Sequence, residues 1–328
     1  YFLLKKYKMI QLGSKIKSNN NFFSSGWICV NKPMNLSSFD VVRRLKKIFS
    51  LNKVGHAGTL DPLATGILPI AFGNATKTIP YLVSSKKKYR FTILWGVKTL
   101  SHDLEAEIIE ENNFVPTENN IKKILSNFEG EIFQRPPKYS AVKVDGKRAY
   151  NLARKGIDFA INEKKVKLYD ITLLDHKNNK TEFSTTVGKG FYIRSLVRDI
   201  CEKLGVLGVI SSLERYELGP FSLENTFSLE TIEKLVHSAP AGMVGGDLLI
   251  PLSEVLDDIP ALLISNKEAK RIQQGQSFFN DYLHKNSKLG SEVLLLKDKR
   301  PIGLATVGEN SFKPKKVFSE EIFNLRSI

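Results

Sequence analysis

The stretch GHAGTLDPLATGIL, residues 55–68, gathers groups that can do chemistry. Its one acid, Asp61, is followed by Pro62 and stands among His56, Thr59, Gly55, Gly58 and Gly66. A carboxylate can act as nucleophile, base or electrostatic anchor, provided it stays ionised beside its target. Two readings compete. Asp before Pro is a common helix start, with the acid as N-cap and proline at the first helical position. PLATGILPIAF then has the apolar content of a buried helix, with Gly66 and Pro69 counting against it. In the other reading, Gly55 and Gly58 allow unusual backbone or close approach to a ligand. Pro62 pushes Asp61 towards an extended conformation, and the loop exists to present the acid. If buried, that carboxylate needs a cationic partner to remain charged.

Three further clusters follow. In GKGFYIRSL, residues 188–196, Tyr192 and Arg194 stand two apart and share a face if they lie on a strand or strand end. A phenol and a guanidinium side by side suit stacking on a base and pairing with a carboxylate, although a core Tyr and a surface Arg are the commoner fate. SSKKKYR sets Tyr89 beside Lys86, Lys87, Lys88 and Arg90, which fits a base-stacking, phosphate-contacting edge or, equally, a solvated loop entering a strand. PPKYSAVKVDGKRAYNLARKG, residues 136–156, holds six basic residues and two tyrosines against one acid, and reads as an RNA-facing loop and helix.

Elements must hold these groups. WICVNKP, residues 27–33, reads as a strand, and SSFDVVRRLKKIFS as an amphipathic helix capped by Ser37 or Ser38. Residues 86–97 alternate like a strand; NNIKKILSNFEG is a helix with Gly130 as its stop. EFSTTVGKGFYIRSLVRDICEKLG is a strand, a glycine-bracketed turn and a helix ending at Gly205. Hairpin-like strands mixed with helices, without a regular βαβ rhythm, indicate α+β with a mixed, largely antiparallel sheet. SAPAGMVGGD, residues 238–247, reads as a linker, and VLLLKDKRPIGLATV as a hairpin of a small β-rich unit.

The 328 residues carry a net charge of +15. Thirty-seven Lys/Arg and twenty-three Asp/Glu precede Pro240, against twelve and eleven from there onward. A basic field confined to one part of the chain attracts polyanions, nucleic acid first. No run of eighteen apolar residues appears, so no membrane helix is expected. Cys29 and Cys201 sit in apolar-periodic stretches and read as buried hydrophobes in a reducing compartment. With two Cys and five His, no metal-ligand spacing occurs. Residues 1–25 hold five lysines, no arginine and no acid, and lack a signal-peptide core. Disorder or an over-extended reading frame is expected there, and an organellar leader would favour arginine. The location is expected to be cytoplasmic.

GHAGTLDPLATGILPIAFGNATK resembles, nearly residue for residue, the catalytic motif of the TruB family of RNA pseudouridine synthases. NKPMNLSS, KKYR, PPKYSAVKVDGKRAY and GKGFYIRSLVRDICEKLG match the family's further segments in order and distance. The resemblance runs from Gly26 to about Phe221, and more weakly through IPLSEVL, IPALLIS and AKRIQQGQ. It implies a catalytic domain at 26–240, with its sheet flanked by helices, and a PUA-like RNA-binding domain at 247–328 that touches the acceptor side of tRNA. The implied reaction is isomerisation of the T-loop uridine at tRNA position 55, with no cofactor and no metal, by a monomer needing no protein partner. Asp61 is the catalytic acid by similarity, and ribose attack, base addition and ribose proton abstraction all stay open for it. Arg194 pairs with Asp61, Tyr89 stacks on the target base and Tyr192 is poised for proton transfer at C5. His56 helps hold the loop open with the base extruded. Lys32, Gly58, Thr59 and Leu213 are placed at the substrate, Lys32 with Pro33 in a lining segment whose implied role is structural, and Lys138, Tyr139, Lys143, Lys147 and Arg148 grip the T-arm.

Departures from the family pattern are Asn35 in place of a usual glycine, TLSHDLEAEI (which retains Asp103), and Gly208-Val209 and Glu214-Arg215-Tyr216 near expected RNA contacts. Two rivals stand beside this reading. A guide-RNA-dependent relative shares the GTLDP core but continues with Lys-Val-Thr-Gly, where this chain has Leu-Ala-Thr-Gly. A tRNA-folding chaperone would use the binding residues without Asp61.

Overall fold

The computed structural model describes residues 25–238, 248–250, 252–298 and 300–318. The expected N-terminal extension, apart from Ser25, and residues 239–247 of the glycine-rich stretch lie outside the described residues. Strand β1 (Gly26–Lys32) leads into helix α1 (Ser38–Ile48), where Ser37 and Asp40 cap each other's backbone in a capping box. Val41 and Leu45 of α1 are buried, while Arg43, Arg44, Lys46 and Lys47 face solvent.

Strand β2 (Val54–His56) is followed by β3 (Thr65–Phe72), and here the helix-cap reading is overturned. Residues 61–64 make a turn, with the Ala64 amide donating to the Asp61 carbonyl at 3.1 Å, and a strand follows. From Gly66 to Phe72 every residue of β3 is buried. A run buried on both faces loses the alternation that separates strand from helix. Asp61 therefore stands at the mouth of a strand.

Helix α2 (Ile79–Ser84) precedes β4 (Lys87–Trp95), and the short hairpin β5 (Val97–Thr99) and β6 (Ile108–Glu111) comes next. The α-helical part of α3 (Glu118–Leu125) stops before Gly130, because a 3-10 turn (Ser126–Phe128) intervenes. Gly130, at φ 96°, opens β7 (Gly130–Gln134). The basic stretch forms a miniature hairpin, β8 (Lys143–Val144) and β9 (Lys147–Arg148), with helix α4 (Ala149–Arg154) after it. Its turn residues Asp145 and Gly146 both have positive φ, the geometry that Asp-Gly favours in two-residue hairpins.

Strands β10 (Lys164–Lys177) and β11 (Lys180–Val187), helix α5 (Ile193–Leu204), and strands β12 (Gly208–Leu218) and β13 (Phe221–Ser222) complete a nine-stranded sheet. Its order is β1-β3-β12-β4-β11-β10-β7, with β2 on β3 and β13 on β12. Every pairing in it is antiparallel except β3 with β12, which touch in parallel at Thr65↔Glu214 and Gly66↔Arg215. Phe91 and Phe183, register partners on β4 and β11, stack at 5.1 Å between centroids. Such a pair adds about 0.5–1.5 kcal/mol beyond its area burial. Helix α6 (Leu229–Ser238) joins α1 through an Arg44–Glu233 ion pair at 2.8 Å.

Past the helical turn α7 (Leu252–Val255), a second sheet of order β14-β15-β16-β17 forms from β14 (Ala261–Leu263), β15 (Glu292–Lys297), β16 (Arg300–Val307) and β17 (Phe312–Val317). Both of its faces are covered. Val293 and Leu295 pack with Ile272 of α8 (Asn266–Gln273) and Leu283 of α9 (Asp281–Lys285), while Leu294, Leu304 and Phe318 pack with Trp27, Ile67 and Leu218 of the first sheet. The architecture is α+β, a mixed and largely antiparallel sheet flanked by helices beside a small β-rich sheet. Among the described residues no helix is long and apolar enough to cross a membrane.

The parallel contact fixes one glycine. Gly66 has φ +95°, and a Cβ there would lie 2.3 Å from the Arg215 carbonyl oxygen. Gly66→Ala is expected to lower stability by more than about 1 kcal/mol, read as a fall in Tm, because both the conformation and the space exclude a side chain.

Candidate active site

Asp61 sits on a loop pinned from below on both sides. Ser38 Oγ donates to the Leu60 carbonyl at 3.0 Å and accepts from the Leu60 amide at 2.8 Å. The Pro62 carbonyl accepts from Lys32 Nζ at 3.1 Å and from the Asn35 amide at 2.8 Å. Lys32, fully buried, also donates to the carbonyls of Pro33 and Leu36 at 2.9 and 2.6 Å. Burial lowers its ammonium to about 8, with the Asp61 charge opposing that fall. Asn35 takes φ 66°, the left-handed turn a glycine would otherwise supply.

Arg194 meets the carboxylate from the second position of α5. Its Nη2 donates to Asp61 Oδ1 at 2.9 Å, and its Nε lies 2.8 Å from Oδ2. The guanidinium is only 6% exposed, whereas the Asp61 side chain is 31% exposed, so the acid faces outward from a covered cation. Nη2 also reaches the Tyr139 carbonyl at 3.0 Å, and Nε lies 3.6 Å from Asp103 Oδ2. Asp103 rides on the loop between β5 and β6, its Oδ1 accepting from Ser101 Oγ and from the Glu105 amide. Burial pushes the Asp61 carboxyl upward and the Asp103 charge adds to this, while Arg194 and Lys32 pull it down.

Tyr192 is the extended residue that caps α5, at φ −115° and ψ 118°. The expected strand end is thus the last extended residue before a helix, with Arg194 inside that helix. Gln134 of β7 holds Tyr192 in place, accepting from its amide at 2.8 Å and donating to its carbonyl at 3.1 Å. Burial raises the Tyr192 phenol, and the nearby Asp61 charge acts in the same direction. Tyr89 of β4 is buried, with its hydroxyl 3.5 Å from Arg215 Nη1.

Arg215 is itself 1% exposed and donates to the Ile67 carbonyl at 2.8 Å and the Gly58 carbonyl at 3.0 Å. Its place in β12, expected near RNA contacts, is internal: it ties Tyr89 to the loop that carries Asp61. Val209 is likewise buried, and Gly208 leaves no room for a side chain, since a Cβ would come within 2.8 Å of Cys201 Sγ. His56 lies on β2 with Nδ1 buried and unpartnered; burial, then Arg215, lowers its imidazole.

The structure thus gathers Asp61, Arg194, Leu63, Ile210, Ser212 and Leu213 around one shallow depression. Tyr192 is close enough to feel Asp61, and Tyr139 takes part through its carbonyl. Gly58 contributes a carbonyl to Arg215, and Thr59 is exposed. Lys32 lies beneath the loop with its ammonium on three carbonyls, not on the open face where a substrate contact was expected. Lys138, Lys143, Lys147 and Arg148 stand apart on the exposed arm, where Lys138 pairs with Asp158 at 2.7 Å and Arg148 donates to the Ala141 carbonyl. Sequence reasoning missed Gln134 and the inward role of Arg215, and left Asp103 without a partner. Cys29 and Cys201 are buried, and burial pushes both thiols up to about 12.

This is the pseudouridine-synthase fold. It superposes on a chain of a Cbf5-Nop10-Gar1 complex with a TM-score of 0.69 at 24% identity, covering 91% of this chain and 85% of that one. The archaeal box H/ACA sRNP Nop10-Cbf5 complex gives 0.68 at 22% identity, covering 91% and 87%. Residues 46–193 match the model for the TruB family pseudouridylate synthase N-terminal domain. The tRNA pseudouridine synthase B of Caulobacter sp. (strain K31) is 43% identical over 258 residues, 77% of this chain and 81% of that protein. Those of Caulobacter vibrioides and Rhodospirillum rubrum are 41% and 39% identical, covering 88% and 89% of this chain and 89% and 96% of theirs. The chain belongs to the TruB family of pseudouridylate synthases, and is an isomerase.

With Asp61 as the reacting carboxylate, which must be ionised, the rate is expected to fall as pH drops through its pKa, and burial starts that fall above the ordinary aspartate value. Asp103→Asn removes one upward influence, so the acid limb of the kcat/KM profile moves to lower pH. The plateau also drops, by up to about 100-fold, because Arg194 loses a contact that orients it. A pH–rate series on wild type and Asp103→Asn measures both.

Proposed function

We propose that this chain converts the uridine at position 55 in the T loop of tRNA to pseudouridine as a stand-alone enzyme. The observation that carries the reading is Asp61, held by Arg194 through one hydrogen bond and a close ionic contact yet open on its outer side, at the end of a loop fixed by hydrogen bonds to its backbone. A nucleotide must leave its stack to reach such an acid. The N1–C1′ bond breaks with its electron pair passing to the uracil, the base turns, and C5 bonds to C1′ with that pair. The C5 proton leaves to solvent by way of Tyr192, and N1 takes up a proton. Nothing is oxidised and no water is added, so one carboxylate suffices where a glycoside hydrolase needs two.

The relatives' names support tRNA as substrate, and the Leu-Ala-Thr-Gly continuation of the motif favours the stand-alone enzyme over a guide-dependent one. In this reading residues 26–240 act as the catalytic domain, and the basic arm with β8, β9 and α4 grips the T-arm. Residues 247–328 form the PUA-like unit on the acceptor side.

Asp61→Asn is expected to abolish tritium release from 5-tritiated uridine in a T-arm hairpin while binding persists. Release at the wild-type rate would overturn the catalytic assignment, and a wild type that binds but releases nothing would favour the chaperone reading.

A further inference from the structure

Outside the depression, one surface feature is built and unaccounted for. The Tyr169 ring on β10 is 37% exposed and carries two ammonium groups against it. Lys86 Nζ lies 4.2 Å from the ring centroid and Lys167 Nζ lies 4.8 Å from it. The sequence places Lys86 in the basic run around Tyr89, but Tyr89 faces the core and Lys86 turns instead to a tyrosine eighty-three positions away.

Neighbouring lysines on the same sheet are neutralised. Lys88 pairs with Glu217 at 2.9 Å and Lys165 with Glu131 at 2.7 Å. Among the described residues neither Lys86 nor Lys167, nor the exposed Lys189 close by, pairs with a carboxylate within 4.0 Å. Asp170, the adjacent acid, accepts from the Thr186 amide at 3.1 Å. Two ammonium groups crowded on one ring repel each other. Glu131, the register partner of Lys167, is engaged by Lys165 at 2.7 Å, so what would relieve that repulsion is an anion from outside.

Position narrows which anion. The Gly188 amide donates to the Lys167 carbonyl at 2.8 Å, and a Cβ on Gly188 would lie 3.8 Å from the Tyr169 ring. Tyr192 lies four positions beyond Gly188, a span of at most roughly 14 Å. We propose that Lys86 and Lys167, both held against the Tyr169 ring, form a clamp for one backbone phosphate of the substrate RNA at the rim of the active site. The clamp rests on the RNA-isomerase reading above and adds a contact on the sheet side, opposite in origin to the basic arm. The ring serves as an anchor, because its attraction for the ammonium groups limits where they can stand and lowers the ordering cost of binding.

The test uses the full chain and a T-arm hairpin RNA, with binding read by anisotropy across a salt series. In Lys86→Gln/Lys167→Gln the slope of log Kd against log salt falls by about one unit, KM rises severalfold, and kcat keeps its wild-type value. Tyr169→Phe, which keeps the ring, binds as wild type does, and Tyr169→Ala binds more weakly. A methylphosphonate linkage placed at successive positions locates the phosphate: one neutral linkage weakens wild-type binding and has no further effect in the double variant. An unchanged salt slope, wild-type binding by Tyr169→Ala, or losses that add at every linkage would each overturn the clamp. If wild type binds and modifies the hairpin while these variants match it, only the clamp falls. If wild type neither binds nor modifies it, the functional reading falls too.

Discussion

Everything around the site follows from one constraint: a carboxylate withdrawn from water must be kept charged and kept still. Desolvation drives Asp61 towards its neutral form, and Arg194 is the opposing charge. A fork-shaped guanidinium fixes the two carboxylate oxygens in space as well as in charge, which a lysine would not do. Arg194 in turn is positioned by Asp103 and by the carbonyls of Tyr139 and Ser101. The second acid has two effects of opposite sense, since it orients the arginine while its own charge raises Asp61.

Two buried cations hold the frame without facing the substrate. Lys32 gathers three carbonyls beneath Pro62, and Arg215 joins β3, the Gly58 carbonyl and Tyr89. Burying a charge is costly unless its donors are satisfied, and here the partners are backbone dipoles of the segments that must not move. The lone parallel contact in the sheet falls at Gly66 and Arg215, which places this tie directly beside the presented acid.

Much of this was legible in the residues. The alternation of β4, the Ser37 cap of α1 and the Gly205 stop of α5 are local signals, and they appear where the spacing puts them, whereas the basic stretch, read as a loop and helix, also forms an Asp-Gly hairpin. The partnership of Asp61 and Arg194 across 133 positions came from motif order, not from periodicity. What stayed hidden was set by tertiary burial. Residues 62–72 read as a helix because a strand covered on both faces has no polar side to betray it. Arg215 looked like a surface contact because sequence cannot tell an arginine that reaches phosphate from one that reaches carbonyls. Tyr89 and Tyr169 make the same point, since the aromatic adjacent in sequence to the lysines turns inward and a distant one takes its place.

The link between the basic arm and the acid has a physical consequence. The Tyr139 carbonyl that accepts from Arg194 belongs to the segment that leads into β8 and β9. Ser195 and Arg198 of α5 both donate to the Arg135 carbonyl at the root of the same arm, at 2.8 and 3.1 Å. The arm is therefore anchored on the helix that carries Arg194, its carbonyls accepting from the side chains of Arg194, Ser195 and Arg198. The lysines and arginines of the arm and the groups that hold the acid thus share an attachment on α5, but not a charge.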